Sequence, residues 1–209
     1  MKTKIYTLLL ILFGIIPCFG QNNDLIETVR KGNKQIKSFT AKFTEMQYRH
    51  ATKQSNELYG KMYYDAIGRI AMIYTEPEGD YVIIDGSTLV AKRKGKKNHF
   101  SGAKANAMTE LSNSIMHSMT GEVSTVAEEN DAEIRSKADN TYYNFVLTRR
   151  NIDPKQKHQI VKLTLRYDKR SCALVLLMVE EASGNTSTYA LSAPQLNAEI
   201  PDNVFISKQ

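Results

Sequence analysis

The chain has 209 residues, a formal net charge of +6 and 42% hydrophobic residues. This length fits one domain that can bury a real core without disulfides. Of the two cysteines, Cys18 lies in an N-terminal segment that we expect to be removed, so no disulfide framework can form within one mature chain. We expect the remaining Cys172 to be a small buried hydrophobe rather than a reactive thiol.

The first twenty residues are typical of a secretory signal peptide. Lys2 and Lys4 form a positive start, residues 6–16 are an apolar run, and small residues precede Gln21. The apolar run is shorter than the ~20 residues of a membrane-spanning helix. We therefore expect cleavage before Gln21, a mature domain over residues 21–209 in the periplasm, and no nucleic-acid partner.

Two alternatives to this cleavage stay open. The N-terminus could remain as an uncleaved anchor, or Cys18 could become the acylated residue of a lipoprotein. Pro17 argues against acylation, because that processing favours a small and flexible residue directly before the cysteine.

The mature chain is predicted to begin with one helix and to continue as strands. A cap at Asn23 or Asp24, followed by apolar residues near helical spacing, predicts a helix over Asn23–Lys37, although Gly32 weakens it. Beyond it, apolar and polar residues alternate with a period of two, and Asp85-Gly86 is the strongest hairpin signal. The predicted strands cover 39–44, 58–64, 70–74, 81–84, 88–94, 132–135, 143–147, 161–167, 174–179 and 186–191.

A second helix interrupts this pattern in the middle of the chain. Met108, Leu111, Ile115 and Met119 follow one another at spacings of three, four and four, which predicts one apolar face on a helix over Asn106–Gly121. The segment that follows it is acidic and weakly patterned.

One late strand is apolar on both sides. Leu174, Leu176 and Met178 are predicted on one face, and the residues between them, which include Leu177 and Val179, on the other. Both faces of that strand should therefore be covered.

The predicted fold class is mainly β. About ten antiparallel strands in sequence form a twisted sheet that must curl, and the two helices can hide their apolar faces only on its concave side. We expect a half-closed, strongly curved antiparallel β-barrel with a helical lid or plug.

Five segments together resemble the LolA family of lipoprotein carriers: Ser38–Thr44, Gly60–Tyr64, Arg69–Pro77, Ile83–Leu89 and Glu181–Tyr189. The resemblance rests on their order and spacing and covers nearly the whole mature chain. It implies an unclosed barrel with a helical lid over an apolar cavity. It also implies that acylated lipoproteins, or another lipid, are received from an inner-membrane ABC transporter and carried to an outer-membrane acceptor that the sequence does not identify.

The sequence departs from the family pattern in two places. The family usually has an Arg-Pro pair, linked to lid closure, where Ala66-Ile67 stand here, and Arg69 is the nearest arginine. The family also favours tryptophan where Met72 and Val90 stand. The fold therefore carries over better than the cargo.

The predicted cargo site is an apolar pocket between the sheet and the second helix. Its strand residues share parity within each strand, and its helix residues share one stripe. Methionine suits such a surface because it adapts to flexible cargo, although it also fills ordinary cores. The predicted pocket residues are Phe39, Phe43, Met62, Ile70, Met72, Tyr74, Met108, Leu111, Ile115 and Met119.

The sequence contains no convincing catalytic or metal-binding motif, so we expect neither an enzyme nor a cofactor. The histidines have no neighbour at ligand spacing, and the acidic segment around Glu128 matches no calcium loop. The basic run Lys92–Lys97 could meet anionic lipid headgroups or an acidic partner, or simply form a solvated hairpin end. A lipid- or lipoprotein-sensing scaffold of the same fold is the alternative to a carrier, and we expect a monomer.

Overall fold

The structure is a computed structural model that describes residues 19–86, 88–100 and 107–206; the side chains of 19–22, 100 and 107–109 lie outside the description. Its helices are α1 (Phe19–Asn33), α2 (Ala107–Met119) and α3 (Val123–Glu129), and a short 3-10 turn, η1, covers Asp202–Phe205. The strands are β1 (Ser38–Arg49), β2 (Gln54–Asp65), β3 (Arg69–Glu76), β4 (Tyr81–Asp85), β5 (Thr88–Arg93), β6 (Lys96–Phe100), β7 (Ala132–Ala138), β8 (Tyr142–Arg149), β9 (Ile160–Asp168), β10 (Leu174–Glu181) and β11 (Thr186–Leu196).

All eleven strands belong to one antiparallel sheet in the order β6-β5-β4-β3-β2-β1-β11-β10-β9-β8-β7. The first and last strands therefore pair in the middle, where Phe43 lies opposite Leu191. Within the described residues β6 and β7 are the two edges, so the sheet does not close on itself.

The sheet is strongly curved. Neighbouring strands lie about 4.8 Å apart, so β5 and β1, which are four strands apart, would be separated by about 19 Å in a flat sheet. A nitrogen of Arg93 on β5 nevertheless lies 3.2 Å from a carboxylate oxygen of Glu45 on β1. The face that carries these two side chains is therefore concave.

The concave face holds the main core. Alternate residues of every central strand point into it, and α1, α2 and α3 cover it with Val29, Ile115 and Val126. Gly32 lets α1 approach the sheet, because a Cβ at this position would lie 2.4 Å from Sγ of Cys172. Cys172 is a free and buried thiol whose pKa is raised by burial.

A smaller cluster covers part of the convex face. Ala71, Ile83 and Val90 of β3, β4 and β5 point outward there, and Phe205 of η1 packs on them. The chain therefore uses its C-terminal segment to bury the apolar residues that the helices cannot reach.

The predicted fold class is confirmed: the sheet is mostly antiparallel, is not closed and carries a few helices. The first helix, however, ends at Asn33 and not at Lys37. The side-chain amide of Asn33 donates to the backbone carbonyls of Val29 and Cys172, and the chain then turns toward β1. The second helix ends at Met119, because Gly121 adopts a left-handed φ of 73° that stops it.

Strand β6 and helix α3 were not predicted. Strand β6 carries no apolar alternation, and its lysines belong to a sheet edge, where charge discourages pairing with another chain. It makes the basic run Lys92–Lys97 a β-hairpin whose turn is Lys94-Gly95. Helix α3 is only two turns long, and it buries Val123, Val126 and Ala127 at helical spacing.

The predicted face of Leu174 in β10 was wrong, whereas Leu177 and Val179 share one face as predicted. A bulge between Leu174 and Leu176 shifts the register against β9, so that Leu174 and Leu177 are both buried, together with Val179. Leu176 is only half-buried. One extra residue in a bulge moves every later side chain to the opposite face, and a period-two pattern does not reveal it.

Candidate functional site

A cavity of about 90 Å³ lies between α2 and the concave face of the sheet. Leu111 and Ile115 of α2 form its cover, and Met72 and Tyr74 of β3 form part of its floor. The four-residue spacing places the two helix residues on one stripe, and the two-residue spacing places the two strand residues on one face.

The structure brings the predicted pocket residues whose side chains it describes together into one apolar cluster. Of these residues, Leu111 is partly buried, and the side chain of Met108 lies outside the described part of the structure. Met72, Tyr74, Leu111 and Ile115 border the cavity. The other predicted residues pack elsewhere in the same cluster and are buried: Phe39, Phe43, Met62, Ile70 and Met119.

Sequence reasoning missed part of the cavity wall. Val82, Ile84, Leu89 and Ala91 come from the hairpin of β4 and β5 and point into the cavity. These strands are apolar on both faces, because the outer face is covered by η1. Alternation therefore could not assign their inner residues, although the Asp85-Gly86 turn fixes the register and would have given the parity.

A buried polar cluster borders the same cavity. The side chain of Glu45 is only 1% exposed, and its carboxylate accepts hydrogen bonds from the hydroxyls of Tyr74 at 2.5 Å and Tyr189 at 3.2 Å. Gln47 donates to the same carboxylate at 2.6 Å. Arg93 completes the cluster with its ion pair to Glu45 at 3.2 Å and lies over the Tyr74 ring at 3.9 Å.

The surroundings raise the pKa values of three side chains in this cluster, Tyr74, Arg93 and Tyr189. Burial raises the pKa of both Tyr74 and Tyr189 far above the ordinary value of tyrosine, so both hydroxyls keep their hydrogens. Burial would lower the pKa of Arg93, but the neighbouring Tyr74 and Glu45 outweigh it and raise the pKa. Both tyrosine hydroxyls are therefore neutral, and they lie beside the Glu45–Arg93 ion pair, in which the two opposite charges cancel.

Polar contacts tie the start, the middle and the end of helix α2 to its surroundings. At its start, Glu110 forms an ion pair with Arg149 of β8. In its middle, the Ser114 hydroxyl accepts a hydrogen bond from Asn130 at 3.0 Å. At its end, the hydroxyl of Tyr167 donates to the carbonyl of Ser118 at 2.9 Å. Burial raises the pKa of Glu110, and the neighbouring Arg149 opposes this shift.

A larger depression, of about 360 Å³, lies between α1, α3 and β7. Its wall is divided between apolar residues of the three elements and polar or charged ones, which include Ser124, Glu128 and Arg150. The cavity under α2 is lined mainly by apolar side chains, so apolar cargo gains more there, and we therefore place the candidate site under α2. Across the described residues no group of three histidine, cysteine, aspartate or glutamate side chains could hold a metal ion.

Comparison with known protein families assigns the chain to a family. Residues 34–208 match the family described as "Outer membrane lipoprotein carrier protein LolA". The chain belongs to the LolA family. This is a family of binding and carrier proteins, and its fold is compatible with binding lipoproteins or lipids. None of the curated proteins matches the sequence.

Solved structures share the LolA-like fold at low sequence identity. An uncharacterised conserved protein from Thermus thermophilus is 7% identical with a TM-score of 0.53, over 90% of this chain and 95% of that chain. MucB in the Pseudomonas aeruginosa MucA/MucB complex is 8% identical with a TM-score of 0.52, over 90% of this chain and 61% of that one. A LolA superfamily protein from Nitrosomonas europaea is 11% identical with a TM-score of 0.44, over 88% and 97%.

Arg69, the arginine nearest to the usual arginine of the LolA family, lies on the other side of the sheet from α2. It pairs with Asp65 at 2.6 Å and Asp202 at 3.4 Å, and its guanidinium lies over the ring of Phe205 at 4.3 Å. Arg93 and Arg149 are the arginines that contact the cavity and α2, respectively. None of the described helices is both long and apolar enough to cross a membrane.

Proposed function

We propose that this protein is a periplasmic carrier that shields acyl chains of lipoproteins, or of another lipid, under α2 during transit from the inner to the outer membrane. The observation that carries the proposal is the apolar cavity between Leu111 and Ile115 of the helix and Met72 of the sheet. An inner-membrane ABC transporter is the proposed donor, and the family match to lipoprotein carriers supports this assignment.

Elementary energetics explain why such cargo needs a carrier. Each buried methylene contributes about 0.8 kcal/mol, so a single palmitoyl chain exposed to water costs about 12 kcal/mol. A lipoprotein with several chains therefore cannot cross an aqueous compartment alone.

The cavity has to expand to hold such a chain. Binding sites for small organic ligands have volumes of about 300–1,000 Å³, and this cavity has about 90 Å³. Its floor belongs to the continuous sheet, whereas its cover is one helix attached by the contacts of Glu110, Ser114 and Ser118. We propose that α2 moves away from the sheet as cargo enters.

A charged residue in the cavity wall tests the proposal. Met72→Glu should weaken binding of an environment-sensitive acyl probe by at least about tenfold, because the carboxylate would be buried without a partner. Met46→Glu is the matched control, since Met46 is 54% exposed, and it should bind like the parent. Circular dichroism checks folding. A folded Met72→Glu protein that binds as well as the parent would exclude Met72 from the site, and a parent that binds no probe would refute the carrier.

Export is a separate part of the proposal. Residues 1–18 lie outside the described residues, so cleavage before Gln21 remains a prediction. N-terminal sequencing of the protein from the periplasm should begin at Gln21. A retained Met1, or an acylated Cys18, would contradict it.

A sensing scaffold is the second candidate. The MucA/MucB complex supports it, because there a protein of similar fold is found with a protein partner. Vesicle transfer separates the two functions: a carrier should deliver a labelled lipopeptide to acceptor vesicles within minutes, whereas a scaffold should retain it.

A further inference from the structure

The cavity under α2 has a polar end. Tyr74, Arg93 and Tyr189 border it together with the apolar residues of α2, and Glu45 lies directly behind them. Glu45 is fully buried in its pair with the partly exposed Arg93, and burying a charge in an ion pair rarely stabilises a fold more than apolar residues of the same volume would. Because Arg93 lies in the wall of the cavity, a role of the ion pair in ligand binding explains its presence better than a role in stability.

The hydroxyl groups of the cluster have no hydrogen left for a ligand. A carboxylate only accepts hydrogen bonds and a guanidinium only donates them. The Tyr74 hydroxyl contacts both, at 2.5 Å each, so it must accept from Arg93 and donate to Glu45. The single hydrogen of Tyr189 is likewise directed at Glu45.

Arg93 has hydrogens that this cluster does not use. Its bonds to Glu45 and Tyr74 both leave from Nη2. A guanidinium carries five hydrogens, so the three hydrogens on Nε and Nη1 take no part in these two bonds. The side chain is 31% exposed and borders the cavity. A group that meets this end of the cavity must therefore be a hydrogen-bond acceptor.

The charge balance selects among acceptors. Glu45 and Arg93 already cancel, so a free carboxylate in the cavity would add an uncompensated negative charge next to apolar walls. An ester carbonyl supplies the same acceptor oxygen without a charge. Hydrocarbons and ethers supply no comparable oxygen.

We propose that Arg93 binds the ester carbonyl of an acyl chain, so that the cavity selects acyl esters over free fatty acids and ethers. The hydrocarbon then lies along Met72, Leu111 and Ile115, and the polar part of the cargo leaves the cavity at the Arg93 end. This inference rests on the proposed function and adds to it the chemical class of the cargo.

Competition against the acyl probe tests the inference with three ligands of equal chain length: methyl laurate, laurate and dodecyl methyl ether. Methyl laurate should displace the probe at about tenfold lower concentration than the ether, the effect of one hydrogen bond to a charged group. Laurate at pH 8 should also compete less well than the ester. Equal competition by ester and ether, or better competition by laurate, would overturn the inference and leave the carrier intact. Failure to bind any probe would remove both.

Variants then assign the selectivity to one residue. Arg93→Met should bring the ester-to-ether ratio to about one, a readout that general loss of structure does not produce because it weakens both ligands equally. The double variant Glu45→Gln/Arg93→Met leaves no unpaired buried charge and should give the same ratio if the single variant fails to fold. Arg166→Met is the control, because Arg166 also lies over a tyrosine ring, that of Tyr142, and it should keep the parent ratio. A preserved ratio in either Arg93 variant would refute the assignment.

The same assay separates two sources of acyl ester. A diacylglyceryl-cysteine lipopeptide and a phosphatidylethanolamine with the same chains both present ester carbonyls. Stronger competition by either supports the inference and identifies the source, whereas competition by neither overturns it.

Discussion

The two faces of the sheet are covered in different ways. On the convex side, Phe205 of η1 packs on Ala71, Ile83 and Val90 in a continuous apolar cluster. On the concave side, a cavity of about 90 Å³ lies between α2 and the sheet, and Arg93 of the Glu45–Arg93 ion pair borders it. Close packing stabilises a fold, so the outer cover serves stability. The inner cover gives up contacts of the same kind in exchange for a space that cargo can enlarge.

The largest difference should appear when the outer cover is removed. Phe205→Ala should lower the free energy of unfolding by about 3 kcal/mol, because it deletes a buried ring and its contact with Arg69. Denaturant titration measures the loss, and acyl-probe binding measures the inner face. If the folded variant loses probe binding in proportion to stability, the two faces are not independent.

The same substitution on the two faces should have opposite effects. Ala71→Leu overpacks the outer cluster, where Ala71 is fully buried, and should destabilise the protein by about 2 kcal/mol. The longer side chain in Ala91→Leu extends into the inner cavity. It should raise the free energy of unfolding by about 1 kcal/mol and weaken acyl binding. Thermal denaturation and probe titration of both variants decide this, and destabilisation by Ala91→Leu would mean that the cavity has no room for the side chain.

The sequence predicts those features of the two faces that depend on residues close together in the chain. Alternation in β3 placed Met72 and Tyr74 on one face, and the spacing in α2 placed Leu111 and Ile115 on one stripe, because both patterns are local. The antiparallel pairing of consecutive strands followed from short turns such as Asp85-Gly86, whereas the pairing of β1 with β11, which are far apart in the chain, was not predicted.

The polar end of the cavity could not be predicted in the same way. Glu45 simply interrupts the apolar alternation of β1, and its partners Tyr74, Arg93 and Tyr189 lie 29, 48 and 144 residues away. Only the curvature of the sheet brings them together. The bulge at Leu174 in β10 escaped prediction for a related reason, since one inserted residue changes the face without changing the composition.

The ion pair at the start of α2 should matter more than exposed pairs do. Arg149→Met should lower the free energy of unfolding by about 1–2 kcal/mol and speed probe release, because it leaves Glu110 partly buried without its partner. Arg150→Met is the matched control: Arg150 is 54% exposed in its pair with Asp131, and its loss should change stability by less than about 0.5 kcal/mol. Equal effects of the two variants would show that Glu110 does not anchor the helix.

The raised pKa of Glu110 makes the stability of the protein depend on pH. Because burial raises its pKa in the folded protein, the folded state binds the proton more readily than the unfolded state does. The contribution of Glu110 to stability is therefore most favourable below the unfolded-state pKa of about 4.3, where the buried acid is neutral, and it falls as the pH rises through the raised folded-state pKa. The ion pair with Arg149 forms only as Glu110 ionises, and it compensates the burial of the carboxylate only in part. Unfolding free energies measured between about pH 4 and 8 should show a decline that Glu110→Gln removes. An identical pH profile in this variant would contradict the assignment.

The smallest effect is expected at the other end of α2. Tyr167→Phe removes only the hydroxyl that donates to the carbonyl of Ser118, and the ring of this fully buried residue stays in place. The loss should be about 1 kcal/mol of stability, because one neutral hydrogen bond disappears and a buried carbonyl loses this donor. If the end of α2 moves when cargo enters, probe release should accelerate about fivefold.

Tyr142→Phe is the control, since Tyr142 is half-buried on β8 beneath Arg166 and away from α2. Stopped-flow release of the acyl probe measures both variants. A destabilised Tyr167→Phe protein with the parent's release rate would show that α2 stays attached at Ser118 and opens from the Glu110 end.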